Sequence, residues 1–197
     1  ESYLAQAQAD LGMIPKDIAD EITRTASIDL IGADKVAEHY ASCTLNTVAL
    51  FRAWIPHCKG KAGEFIHYGA TSQDVLDTTL AYRMKKSLDI WEKDLEEILQ
   101  VLLRLADEHR HDLMAGITHG QHAIPVTFGF VAATWAQTIR EHLDRLRYSR
   151  PRIATGTVSG AAGNFASYNL LFGPKCWEMQ VKVLEKFGLT VPLISPQ

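Results

Sequence analysis

Residues 84–105 read MKKSLDIWEKDLEEILQVLLRL, and in them Met84, Leu88, Trp91, Leu95, Ile98, Leu102 and Leu105 step by four, three, four, three, four and three. That alternation keeps apolar side chains on one stripe of an α-helix and is the pattern of a heptad seam, which needs a partner to bury it. The surrounding stretch from Gln73 to Asp112 holds neither Gly nor Pro, so it reads as one helix of ~60 Å. Glu92, Lys93, Asp94, Glu96 and Glu97 lie off the seam and read as a solvated face.

Downstream, Phe128, Ala132, Trp135, Ile139, Leu143 and Leu146 return at spacings of four and three, giving a second long helix that runs to about Ser149. Its Arg140, Arg145, Arg147, Arg150 and Arg152 alternate with Glu141 and Asp144; mixed signs favour surface pairing or helix packing over an anion site. Upstream, residues 2–60 read as short helices broken by Gly12, Pro15, Gly32 and Pro56, with a longer helical stretch over 33–55. Near the end, a small-residue loop over 156–164 precedes an amphipathic helix over 174–187, which Gly188 caps. Strand signals are few. The fold expected is mainly α: a small helical N-terminal domain over residues 1–70, then the first part of a long-helix bundle over 71–197.

Nearly half of the 197 residues are hydrophobic, enough for a sizeable core, and the net charge of -3 is spread with mixed signs. No basic face argues for nucleic acid or an anionic membrane, so a small molecule is the expected partner. Cys43, Cys58 and Cys176 are odd in number and far apart, which suits reduced cysteines in a cytosolic protein. No apolar run approaches the ~20 residues of a membrane span and no signal segment opens the chain; a soluble, cytoplasmic protein is expected. The first residue is Glu1 rather than Met, and residues 2–11 already look like the middle of a helix. The chain therefore reads as a fragment.

Two polar clusters carry the chemistry. The first, His67-Tyr68-Gly69-Ala70-Thr71-Ser72-Gln73-Asp74, opens the long helix; the second, Thr118-His119-Gly120-Gln121-His122-Ala123-Ile124-Pro125-Val126-Thr127-Phe128-Gly129, lies between the two long helices, where its Gly and Pro residues keep it out of regular helix. His119 and His122 have no Cys or carboxylate beside them to complete a tetrahedral set, so no metal is expected. Histidine can carry and release a proton near neutrality, and His119, between Thr118 and Gly120, is the better placed; His122 leads into an apolar run and reads as a core histidine. Thr71 with Asp74 three residues on is a capping box, and the N–H groups of a helix N-terminus also receive carboxylates. Asp74 is expected to cap and Thr71 or Ser72 to bind. The 156–164 loop is not GxGxxG and lies in no strand-helix-strand unit; no cofactor is expected.

Taken in order with Ser159-Gly160-Ala161-Ala162-Gly163, the two clusters resemble the fumarase/aspartase superfamily, closest to its adenylosuccinate lyase and carboxymuconate cycloisomerase group, over nearly the whole chain. The resemblance implies a helical three-domain subunit, a homotetramer with active sites shared between subunits, and a dicarboxylate or succinyl substrate. It also implies anti elimination: a base takes a carbon-bound proton beside a carboxylate, an aci-carboxylate forms, and the leaving group departs, usually giving fumarate. His119 matches the histidine that protonates the leaving group in adenylosuccinate lyases, and His67 a substrate-contacting histidine. Thr71, Ser72, Thr118, Gln121, Ser159 and Asn164 are the expected substrate-binding residues, since a dianionic intermediate needs donors around its carboxylates. The family's base is a serine on a Gly-Ser-Ser-x-Met-Pro-x-Lys-x-Asn loop, absent from these residues and expected beyond Gln197.

The chain departs from the adenylosuccinate pattern where Leu45 and Asn46 stand in place of a Thr-x-His-Asp motif. Residues 69–74 and 124–129 read like carboxymuconate cycloisomerases, yet bacterial members of that group generally lack the histidine matching His119. Three readings result: a fumarate-releasing lyase, a cycloisomerase, and a helical scaffold that has kept the fold without the chemistry.

Overall fold

The structure is a computed structural model that describes residues 1–43 and 45–195. Packing groups Glu1–Tyr82 with Ala154–Gln197 in one compact unit and leaves Arg83–Ile153 as a second, a grouping by contact within this chain that differs from the division at 70/71 expected from sequence.

In the first unit, α1 (Ser2–Asp10) packs on α2 (Lys16–Thr25) and on the last helix, α9 (Cys176–Phe187). Two apolar clusters meet along α1: Leu4 and Ala7 join Tyr168, Met179, Val183 and Leu184, whereas Ala5 joins Ile14, Ile22, Ala53 and Trp54. Two hydrogen bonds satisfy buried polar groups beside the second cluster, while the buried Gln8 Oε1 has no partner among the described residues. Trp54 Nε1 donates to Thr25 Oγ1 at 2.8 Å, and Gln8 Nε2 donates to the Tyr68 carbonyl at 2.8 Å.

The helix expected over 33–55 is divided. It forms α4 (Ala33–Cys43) and α5 (Asn46–Trp54), with Leu45 extended before α5; Thr44 lies outside the described residues, as do Pro196 and Gln197. A one-turn α3 (Ile28–Ile31) precedes them. The other end of the chain holds one more helix than expected, α8 (Ala166–Phe172), ahead of α9, and Gly188 closes α9 in the left-handed conformation at φ 62°.

The long helix is α6 (Ser72–Glu108), close to its expected bounds. In the second unit it is followed by an antiparallel pair, β1 (Leu113–Thr118) and β2 (Gln121–Thr127), and then by α7 (Phe128–Ile153). The hairpin is a departure from sequence expectation. Its alternation was masked by Gly116, Pro125 and the polar tip. The helix α7 also runs past its expected stop, through Pro151.

The expected seam is only partly buried within the chain. Leu88 is buried, and Leu95 and Leu102 are partly buried in a cluster with Ala136, Ile139 and Leu143 of α7 whose buried α6 member is Leu99, one position off the seam. Met84, Trp91 and Ile98 remain 42%, 61% and 45% exposed. The acidic face expected to be merely solvated instead bridges the helices: Arg150 bonds Asp89 and Glu92 at 2.5 and 2.6 Å, and Arg147 bonds Glu92 at 2.7 Å and also Glu96. These pairs are largely solvent-accessible, so each contributes little beside the packed seam. Among the described residues, no helix is long and apolar enough to cross a membrane.

If packing dominates, Leu143→Ala, at a side chain 1% exposed, costs about 3 kcal/mol, while Arg147→Ala has a distinctly smaller effect on the urea midpoint. The reverse ranking would show that the ion pairs hold α6 and α7 together.

Candidate functional site

The expected site residues fall in two places, one in each compact unit. In the second unit they form the tip of the hairpin. Thr118 pairs with Gln121 across the turn, and the two residues between them, His119 and Gly120, have φ of 49° and 73°. Positive φ at both central positions of a two-residue loop is the type I′ geometry, whose twist matches the flanking strands. Gly adopts it freely; histidine is among the few other residues found there. Thr118, His119 and Gln121 are thereby brought together on a short, solvent-exposed finger. The signal available in the sequence was the His-Gly pair itself, between Thr118 and Gln121, a relative of the Asn-Gly hairpin signature.

A bulge sets the register below the tip, with Ala115 opposite Pro125 but Ile117 opposite His122. Gly116 lies at this irregularity because a Cβ there would come within 2.4 Å of the Ile124 carbonyl oxygen. His122, expected as a core histidine, is exposed in this chain.

The remaining residues gather at the start of α6. Asp74, only 2% exposed, accepts backbone N–H groups from Thr71 at 3.1 Å, Ser159 at 2.9 Å and Gly160 at 3.0 Å. It therefore caps its own helix, as expected, and also fastens the small-residue loop to it. Burial raises the Asp74 carboxyl above the usual carboxylate range, while the three N–H donors pull the other way. One turn on, Thr78 Oγ1 donates to the Thr157 carbonyl at 2.6 Å and accepts the Thr157 N–H at 3.1 Å. Ser167 Oγ donates to the Gly69 carbonyl at 2.7 Å, closing the loop from its far side.

Within this frame, the Ser72 hydroxyl lies 2.6 Å from Thr47 Oγ1. Ser159 is fully buried, its hydroxyl 3.0 Å from Thr157 Oγ1. Asn164 is exposed, and its Oδ1 accepts the Ala166 N–H at 3.1 Å. His67 is clamped by Glu1: one carboxylate oxygen lies 2.8 Å from ring Nδ1 and the other accepts the His67 N–H at 3.0 Å. Burial pushes the Glu1 carboxyl up, but the bond from the His67 ring leads the opposing effects that hold it below its usual range. Sequence reasoning missed Glu1, Thr47, Thr78 and Ser167, none of which lies in a recognisable motif.

Among the described residues, three that are not glycine have left-handed backbone: His67, His119 and Phe165, the last directly after Asn164. Such conformations persist only where the surroundings enforce them, and they concentrate at functional sites. Among the described residues no group of three or more His, Cys, Asp or Glu side chains is placed to hold a metal.

These long helices, the capped helix start with its tethered loop and the histidine-tipped hairpin are the features of one class. A protein-family model described as "Lyase" matches residues 1–194, and the chain belongs to that family, within the fumarase/aspartase superfamily. It is 42% identical over 197 residues to the adenylosuccinate lyase of Methanocaldococcus jannaschii and 38% identical to the N-acetyl-S-(2-succino)cysteine lyase of Dickeya dadantii, covering 100% of this chain and 42% of each relative. Among solved structures, a fumarate lyase from Mesorhizobium sp. BNC1 superposes with a TM-score of 0.89 at 35% identity, covering 99% of this chain and 45% of that one. The beta-carboxy-cis,cis-muconate cycloisomerase of Acinetobacter calcoaceticus superposes with a TM-score of 0.91 at 28% identity, covering 99% and 46%. The chain thus spans less than half the length of these relatives.

Asp74→Ala leaves the N–H groups of Thr71, Ser159 and Gly160, the last two buried, without their acceptor and lowers stability by about 3 kcal/mol, read from the denaturation midpoint. Gly116→Ala, by driving a Cβ into the Ile124 carbonyl, abolishes hydrogen-exchange protection across the Ile117–His122 rungs while sparing that of α9. Unchanged protection in that variant would show that the bulge tolerates a side chain.

Proposed function

We propose that the full-length protein is a lyase that catalyses anti β-elimination from a succinyl-type substrate and releases fumarate, in the manner of adenylosuccinate lyases. The observation that carries this reading is His119, held in left-handed backbone between Thr118 and Gln121 on an exposed hairpin tip. An imidazole so presented can give a proton to a departing amine or thiolate. The relatives support the substrate class: adenylosuccinate and N-acetyl-S-(2-succino)cysteine, which their names carry, share a succinyl group and differ in the atom it is joined to.

A base removes a proton from the carbon next to one carboxylate, the electron pair enters that carboxylate as an aci-acid, and the bond to the leaving atom breaks as His119 protonates it. Fumarate and the free leaving group result. Thr118 and Gln121 at the tip, Thr71 and Ser72 at the start of α6, and the loop carrying Ser159 and Asn164 supply donors to the carboxylates, with His67 as a further substrate contact. The base is assigned to no residue of this chain. Preorganised donors stabilise the dianion because they are already aimed when the charge develops.

We place the enzyme in the cytoplasm as a homotetramer with sites shared between subunits. The exposed Met84, Trp91 and Ile98 row supports self-association, since it is an apolar helix stripe that one chain leaves exposed. A second reading, cycloisomerisation of a carboxymuconate, is favoured by the superposition on the Acinetobacter enzyme. It yields one lactone and no fumarate.

The test is fumarate release by the full-length enzyme from adenylosuccinate and from N-acetyl-S-(2-succino)cysteine. His119→Asn suits the left-handed turn yet cannot donate the proton, and it lowers turnover by ~100-fold or more. Unchanged turnover in that variant removes His119 from the mechanism, and lactone without fumarate from 3-carboxymuconate decides for the second reading.

A further inference from the structure

The Glu1 clamp on His67 is the least expected contact at the start of α6. Resting on the reading of His67 as a substrate contact, we propose that Glu1 is a positioning residue: it fixes the proton of the His67 ring on Nδ1 and so presents Nε2 as the nitrogen available to substrate.

The geometry leaves the carboxylate little other use. The Glu1 carbonyl accepts the Ala5 N–H at 3.0 Å, so its backbone belongs to the helical hydrogen-bonding of α1. Its side chain turns elsewhere: both carboxylate oxygens go to one residue, 66 positions along the chain. Side-chain exposure is 6% for Glu1 and 20% for His67. The acid is thus covered, and the imidazole keeps one open side.

A carboxylate only accepts. The ring nitrogen 2.8 Å from it therefore carries the hydrogen, and in the neutral ring the other nitrogen is the acceptor. The bond from the His67 N–H to the second oxygen locks the backbone as well as the ring, at φ 65°, where a non-glycine residue needs external support. Phe51, its ring centre 4.7 Å from that of the imidazole, restricts the remaining rotation. A histidine held by a carboxylate at one nitrogen and free at the other is a common way of fixing tautomer and direction together.

The experiment uses the full-length enzyme and two readouts. The nitrogen-15 shifts of the His67 ring report the tautomer directly. Wild type is expected to show the Nδ1-protonated form, and Glu1→Gln, of the same shape, a mixture of the two neutral forms. A wild-type ring protonated at Nε2 alone overturns the proposal. The second readout is a double-mutant cycle scored by fumarate release from the two succinyl probes named above. Glu1→Gln lowers kcat/KM by ~10-fold or more in the wild-type background, but by less than ~2-fold in a His67→Ala background, because the partner it acts through is gone. Equal losses in both backgrounds indicate a general structural role and overturn the proposal.

Full turnover by His67→Ala also overturns it, without touching the reading of His119, which has its own test. If wild type releases no fumarate from either probe, the reading of the reaction fails, and the ring shifts alone decide whether Glu1 sets the tautomer.

Discussion

The carboxylate of Asp74 is the constraint on which the first compact unit is built. It belongs to the opening turn of α6 and accepts N–H groups from three residues, two of them more than eighty positions away. Burying a charge is costly unless hydrogen bonds satisfy it, and here the donors come from the loop that has to be placed. The same atoms therefore cap a helix and position Ser159 and Gly160 beside it. Thr78 repeats the device one turn later on Thr157, so the segment is held at two points along its length.

Much of this architecture was legible in the sequence, for a physical reason. Helix periodicity is a local property of side-chain spacing, and α6 and α7 followed it closely; Thr71 with Asp74 announced the helix start, since capping is likewise settled within four residues. The hairpin was harder. A polar tip, a glycine demanded by a cross-strand carbonyl and a proline paired with Ala115 interrupt the alternation by which strands are recognised. What made the segment read as a site is also what hid its secondary structure.

The long-range partners were invisible for a different reason. Nothing around Glu1 in the sequence distinguishes it from any other helical acid, and the bond to His67 exists only because the fold closes sixty-six positions. The same holds for Thr47 against Ser72. The charged rows of α6 and α7 were read correctly in sign and incompletely in destination: Glu92 and Glu96 face arginines of α7 as well as solvent. Periodicity shows which stripe of a helix is apolar, while the identity of its neighbour is a tertiary fact, and Met84, Trp91 and Ile98 of the α6 seam stay exposed in this chain.

The turn at His119 has a bearing on how such a chain can drift. A position that needs φ near 49° admits Gly, Asn and Asp with little strain and penalises β-branched residues. Asn and Asp are each one nucleotide from histidine in the genetic code. The easiest inheritance at this position therefore keeps the hairpin and discards the imidazole, so the chemistry of the tip can change in a descendant while the architecture stays the same.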